Sequence, residues 1–431
     1  MSTPVEIRRT TWIILPLVLL ALAIRIAVIP FQIGELVDPA RDHWNFGCEE
    51  GRIARSIATG KGFSSPLFGE TGATSWTTPV YPYLLAGVFR LFGIYTYASA
   101  WVILCLNCLF SALTCIPIYF IAQRGFGRAA AVWASWIWVF FPYAIYFASG
   151  EIWGESLDTL MMALVLWCTL AMEEETNVAR WAGYGLLWGI AALTNAVILS
   201  TLPFMLGWLA WRRHRHGIAW HLSTAVTVVV LMLAVTPWLV RNYSAFGRFI
   251  PFRGTFWMIF WEGNTGDTSD LYPDWSNPAH NNTEMEQYRR LGEMGYVGEK
   301  RRMSRDFLQR YPGLFLRLTL MRFTFTWTGF WSLRADYLAG EPFAFANIGF
   351  RTMLTVLMLA GMRRAYRLGR EFIVPFVLVL FSYPLVYYVT HPGMQYQLAL
   401  DPLAVIFIGV LAAGFVKFRI EMETPTHIVS P

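Results

Sequence analysis

The chain has 431 residues, of which 56% are hydrophobic, 16% aromatic and 14% charged, and it carries a formal net charge of +6. A charged fraction well below the roughly 25% of ordinary soluble domains excludes a conventional soluble enzyme, and so apolar a chain is not disordered, because it can bury ample surface. Five cysteines, four of them inside apolar stretches, imply no disulfide framework.

The first apolar block covers residues 11–29 and follows Arg8 and Arg9. No small-residue cleavage site follows it, so it is expected to stay as a first membrane span rather than be removed as a signal peptide. Further blocks of spanning length lie at about 97–121, 129–147, 153–172, 219–240, 344–361, 372–390 and 398–416. The stretch 181–211 is too long for one crossing and has Asn195 at its middle, which predicts two short spans meeting there. The expected architecture is therefore all-α: a polytopic integral membrane protein with about ten transmembrane helices, forming one membrane domain over residues 1–431. Residues 79–93 and 314–331 are semi-apolar and are expected to form short interfacial helices.

Charge sets the orientation. Arg8 and Arg9, Arg124 and Arg128, Arg180, the group Arg212, Arg213 and Arg215, the group Arg363, Arg364, Arg367 and Arg370, and Lys417 with Arg419 fall at alternate span ends. The short segments near Ser149, Asn195 and Pro392 carry no lysine or arginine. By the positive-inside rule this predicts a multi-pass protein of the cell membrane with both termini cytoplasmic. Two long loops, about 31–96 and 241–343, then face outward. They hold most of the acidic and turn-forming residues, which makes that face the place to look for chemistry.

In the first loop a helical pattern starts at Glu49, gathers Ile53, Ala54, Ile57 and Ala58 on one side, and stops at Gly60 and Gly62. Glu49 and Glu50 thus sit at the start of a short helix, where the dipole favours an ionised carboxylate. Such a group beside a membrane can accept a proton from a hydroxyl nucleophile, hold a divalent metal, or simply cap its helix.

The string Phe46-Gly47-Cys48-Glu49-Glu50-Gly51-Arg52-Ile53-Ala54-Arg55, followed by Gly60-Lys61-Gly62-Phe63-Ser64, resembles the first outward loop of GT-C type membrane glycosyltransferases. It is most similar to the branch related to protein O-mannosyltransferases and the lipid A aminoarabinose transferase. The resemblance implies that an acid in this loop serves as catalytic base or orients the substrate. Glu49 matches best, with Glu50 and Asp42 as the other acids in reach, because Cys48-Glu49-Glu50 stands where the family has an Asp-Glu pair. Thr78-Pro79-Val80-Tyr81-Pro82-Tyr83 resembles the family's Pro-rich approach to its next membrane segment.

The second loop carries the resemblance again, in Pro237-Trp238-Leu239-Val240-Arg241-Asn242-Tyr243, Phe246-Gly247-Arg248-Phe249 and Trp261-Glu262-Gly263-Asn264. The implied donor is a sugar on a polyprenyl phosphate, the acceptor an unidentified hydroxyl group, and the outcome inversion at the anomeric carbon. The departing lipid phosphate needs a fixed cation, and Arg241, Arg248 and Arg253 are spaced to supply one. Arg241, at the end of a span, is the foremost of these. Glu151 and Asn264 are expected to position substrates. Glu155 and Asp158 follow Glu151 at membrane depth, where a carboxylate needs a wet cavity. Tyr396, in the turn before the last span, keeps an aromatic ring where the family often has Arg-Tyr.

No Walker motif, dinucleotide fingerprint or Cys/His ligand spacing occurs, so no cofactor is called for, although the carboxylates leave room for a divalent cation. The expected partners are the lipid-linked donor, the acceptor and membrane lipid, with no nucleic acid. A secondary transporter or lipid-linked-sugar flippase is the main alternative. Such proteins concentrate polar groups at mid-membrane in repeated halves, and no repeat is visible here.

Overall fold

The computed structural model describes residues 4–266, 271, 273–368 and 372–423, so Arg370 lies outside the described residues. Among them the chain is helical, apart from one isolated antiparallel bridge between Ser64 and Ala73. The helices of eight or more residues are α1 (Pro4–Val28), α2 (Cys48–Ala58), α3 (Val80–Phe92), α4 (Tyr97–Leu113), α5 (Cys115–Phe126), α6 (Arg128–Val139), α7 (Pro142–Gly150), α8 (Glu155–Ala171), α9 (Val178–Thr194), α10 (Leu202–Arg215) and α11 (His221–Phe246). The second long loop holds α12 (Phe256–Gly263), α13 (Asn282–Arg310) and α14 (Pro312–Thr328), after which come α15 (Ala344–Leu368), α16 (Val374–Ser382) and α17 (Asp401–Glu423).

Each apolar block foreseen in the sequence is helical, though several of these helices are short. Among the described residues four segments are long and apolar enough to cross a bilayer: Ile13–Phe31, Tyr97–Phe126, His221–Phe246 and Ala344–Leu368. The pair α6 and α7, bent by 44°, would make a fifth. The reason lies in the breaks. Pro142 opens α7, Asn195 caps the turn after α9, and Pro384 ends the run through α16, leaving helices at or below the short end of the spanning range of about 17 to 25 residues.

Small residues let these helices approach closely. A Cβ on Gly185 of α9 would lie 2.5 Å from the Thr227 carbonyl oxygen on α11, and one on Gly409 of α17 would lie 2.7 Å from that of Ala130 on α6. Arg25 stands in the last turn of α1. The structure buries it completely, with its guanidinium donating to Ser111 Oγ at 2.8 Å and to the Trp138 and Val139 carbonyls. It joins α1 to α4 and α6.

One end of the bundle gathers basic span ends. Arg124 and Arg212 both pair with Glu173, and Arg213 donates to the Met172, Glu173 and Glu175 carbonyls. At the opposite end the two long loops pack on each other. There Arg41 reaches the Ala279 carbonyl and His280 Nδ1 at 3.1 Å each, and Arg289 reaches the Phe68 carbonyl.

Candidate active site

The first turn of α2 is made possible by two glycines. Gly47, at the N-cap, has φ +82°, and a Cβ on Gly51 would stand 1.8 Å from the Phe46 carbonyl oxygen. This tight entry places Glu49 and Glu50 in the first helical turn, while Ile53, Ala54 and Ile57 are buried beneath them. The helix ends before Gly60 and Gly62, whose φ values are +83° and +72°.

Opposite these acids runs the non-helical segment 74–78, whose residues tie to several parts of the molecule. Thr77 Oγ1 donates to Glu50 Oε1 at 3.0 Å, and the Trp76 side chain lies beside Glu49, favouring its ionised form. The Trp76 carbonyl accepts from Arg253 Nε at 2.9 Å and from Thr255 Oγ1, and Thr78 Oγ1 donates to the Thr194 carbonyl. The segment thereby joins α2, the second outward loop and the end of α9.

Glu49 and Glu50 are only partly exposed, and burial is the largest influence on both. It raises the Glu49 carboxyl above its ordinary range, against the pull of its own backbone N–H, Arg253, Trp76 and His280. Burial, reinforced by the neighbouring Glu49, pushes Glu50 up to about 7, with Thr77 and Arg253 opposing. Glu49 is therefore the member of the pair whose ionised form is better supported. Two more acids adjoin them from the start of α8. Asp158 accepts from Asn195 Nδ2 at 2.6 Å and, like Glu155, is an electrostatic neighbour of Glu50. Glu155 Oε2 and Asp158 Oδ1 are buried without a hydrogen-bond partner among the described residues.

The remaining residues singled out in the sequence fall into two groups. Arg253 faces the acids, interacting electrostatically with Glu49, Glu50 and Asp158. Glu151 sits at the rim, where burial raises it to about 7 while Tyr146 donates to it at 3.0 Å. Tyr396 stacks on Tyr387 with ring centroids 4.6 Å apart and hydrogen-bonds His391 Nε2 at 3.2 Å. His391 is driven down to about 4 by burial and by Arg322 and Arg253, so its ring is neutral.

Arg241, Arg248, Asn264 and Asp42 lie apart from this group. The Arg241 guanidinium donates to the carbonyls of Thr74 and Phe63 and to Asn242 Oδ1, packed over Phe63 and Trp238. That engagement makes it a brace for the first loop. Arg248 is exposed. Asn264 is fully buried, its amide held by the Phe260 and Val389 carbonyls and by Arg322, which occupies the groups a ligand would need. Asp42, in a left-handed turn of Arg41, Asp42 and His43, accepts from both terminal nitrogens of the buried Arg52 at 2.9 Å. Burial would raise its carboxyl, but Arg52 and Arg55 outweigh burial and hold it below the usual range.

Among the described residues no three His, Cys, Asp or Glu side chains converge to hold a metal ion. Sequence reasoning missed Trp76 and Thr77, which lie just ahead of the quoted Pro-rich string, and used Asn195 only as a span break. Its signal was readable all the same, since an asparagine amid an apolar run needs a polar partner.

A protein-family profile described as dolichyl-phosphate-mannose-protein mannosyltransferase matches residues 77–240. No curated protein sequence matches the chain. Oligosaccharyltransferase AglB of Archaeoglobus fulgidus, solved with an inhibitory peptide and a dolichol-phosphate, aligns at 14% identity and a TM-score of 0.56 over 98% of this chain and 52% of that one. The same archaeal enzyme tethered to an acceptor peptide containing the NVT sequon aligns at 15% identity and a TM-score of 0.57, covering 95% and 50%. ArnT from Cupriavidus metallidurans bound to undecaprenyl phosphate covers 97% and 82% at 17% identity, with a TM-score of 0.42. The chain spans about half the length of the archaeal oligosaccharyltransferase. At these identities the likeness is one of fold, and the mannosyltransferase profile covers less than half of the chain.

Proposed function

We propose that this protein transfers a sugar from a polyprenyl-phosphate donor to a hydroxyl acceptor at the end of the bundle where the two long loops meet. That end faces outward, the basic end and both termini are cytoplasmic, and the short helices around α8 to α10, α16 and α17 complete about ten crossings. The observation that carries the reading is the juxtaposition of Glu49 and Glu50 with Arg253, across the segment 74–78.

In this mechanism Glu49 takes the proton of the acceptor hydroxyl as its oxygen attacks the anomeric carbon. The bond between that carbon and the phosphate oxygen breaks on the opposite face, and its electron pair leaves with the lipid phosphate. The anomeric centre inverts, and Glu49 later returns its proton to water. Arg253 stabilises the phosphate as its charge develops, through a donor oriented before the reaction begins. Burial strengthens Glu49 as a base, and the surrounding N–H groups and cations keep a useful fraction ionised. Glu50, Glu155 and Asp158 offer acceptors for sugar or acceptor hydroxyls. Arg241 and Asn264 act at one remove, by fixing the loops.

Incubating purified protein with a panel of polyprenyl-phosphate sugars tests the reading. Release of polyprenyl phosphate together with a glycosylated product is expected. Intact donor in every case, with uptake of lipid-linked sugar by vesicles holding the protein, would replace it with the transporter.

A further inference from the structure

Outside the proposed catalytic group the structure buries another acid in an elaborate setting. In α13 the helix is interrupted at Gly292, with φ +67° and ψ +168°, and Glu293 opens the part that follows. Its carboxylate is 4% exposed and accepts four hydrogen bonds. Ser75 supplies two of them, from its backbone N–H and its hydroxyl, each at 2.7 Å; Thr74 Oγ1 gives a third and Tyr288 OH a fourth at 3.1 Å. Thr74 Oγ1 in turn accepts from the Trp76 backbone N–H at 3.0 Å, and the Ser75 carbonyl accepts from Gly254 N–H.

From Glu293 the chain of contacts runs straight to the catalytic group. Ser75 and Thr74 fix the backbone of Trp76, the Trp76 carbonyl holds Arg253 Nε, and the Trp76 side chain lies beside Glu49 and favours its ionised form. A salt bridge would serve loop packing alone equally well. A carboxylate with four donors from three residues fixes the rotation of the segment as well as its position.

We propose that Glu293 is a positioning residue for the transfer reaction, setting the Thr74-Ser75-Trp76 backbone so that Arg253 and Glu49 face each other. The inference rests on the glycosyltransferase reading for its consequence in turnover, but not for its geometry. Displacing a catalytic group by about 1 Å costs on the order of 100-fold in rate.

The ionisation of Glu49 gives a signature that mere destabilisation lacks. The groups facing Glu49 are Glu50 on its own helix, Trp76 on the segment 74–78, Arg253 in the second loop and His280 ahead of α13, with Cys48 beside it. Trp76 and Arg253 both favour the ionised form. When the clamp is lost, Glu49 should titrate at higher pH.

The experiment uses the full-length protein with Glu293→Ala, Glu293→Gln and Ser75→Ala, each checked for folding by circular dichroism and gel filtration. Turnover is followed against pH, and Glu49 is titrated directly by infrared difference between each protein and its Glu49→Gln counterpart. Expected are a loss of about 100-fold in kcat for Glu293→Ala, an upward move of the Glu49 titration, and partial recovery of both in Glu293→Gln. Ser75→Ala, which removes one of the four donors, should shift Glu49 in the same direction by less. Folded variants whose Glu49 titrates as in wild type would overturn the proposal, whether or not their turnover falls. A wild type inactive with every donor would refute the glycosyltransferase reading, and the infrared titration would still decide the role of Glu293.

Discussion

Replacing Arg253 by methionine separates the two arginines that compete for the role of phosphate ligand. The Nε–H of Arg253 is fixed on the Trp76 carbonyl at 2.9 Å, and the side chain is exposed and directed to the acids. Its head can therefore meet a departing phosphate without breaking a contact inside the protein. A hydrogen bond to a charged group is worth roughly 1.5–3 kcal/mol, and one preorganised donor at a developing oxyanion contributes about 10² to 10³ in kcat. Exposure lowers the figure, so we expect kcat to fall by about 30- to 300-fold, with a smaller rise in donor KM. Lysine should recover only part, since an ammonium cannot keep the Trp76 contact and make a forked one together. The assay is steady-state release of polyprenyl phosphate by purified protein. Arg253→Met with kcat within threefold of wild type, alongside a folded Arg241→Met protein that has lost catalysis, would refute the assignment and restore Arg241 to the first place it held in the sequence.

Arg241→Met is otherwise expected to act on the fold: it strands the Thr74 carbonyl, at about 1–3 kcal/mol, and leaves the Phe63 carbonyl with the Thr74 N–H alone, so its thermal transition in detergent should drop while kcat per folded molecule stays within several-fold. Asp42→Asn leaves the buried Arg52 guanidinium without its carboxylate; because Asp42 itself is half exposed, the loss should be about 1–3 kcal/mol rather than the larger figure for a fully buried pair. The folded-state pKa of Asp42 is depressed, so this stabilisation is present above the unfolded value and disappears as pH falls through the folded one; unfolding scans of wild type and Asp42→Asn should converge in acid. Glu50 has the opposite sign. Its folded value of about 7 exceeds that of an unfolded glutamate, so the native state loses stability as pH rises between the two, and Glu50→Gln should be the more thermostable protein at pH 8 and not at pH 4.

The parts of the fold legible in the sequence were those with a local cause. Apolar blocks became helices because burial and backbone satisfaction leave a chain in lipid little else, and Gly60 and Gly62 marked the end of α2 through their backbone freedom. Glu49 and Glu50 were singled out through the resemblance and the break at Asn195 through its polarity amid an apolar run, while the breaks at Pro142 and Pro384 drew no notice, since they change helix length without changing composition. The cations were harder still. Arg241 stands at a span end, yet the Phe63 and Thr74 carbonyls fold back onto it, a pairing across more than 160 positions that no spacing rule reports. Asn264 is likewise engaged from far along the chain, by Arg322 on α14. Glu293 and Trp76 drew no notice because each matters through contacts made elsewhere in the chain.

The most direct test of the central claim is transfer of labelled sugar from defined polyprenyl-phosphate donors by purified wild type, Glu49→Gln and Glu50→Gln, compared across pH. Positioned general-base catalysis is worth about 10² to 10⁴, so Glu49→Gln should lose at least about 100-fold while remaining folded, and Glu50→Gln should retain most of its activity. Wild-type turnover should decline as pH falls through the raised range of Glu49, because the base must be ionised to act. Full activity in a folded Glu49→Gln protein, or a rate that holds steady well into the acid range, would contradict the account.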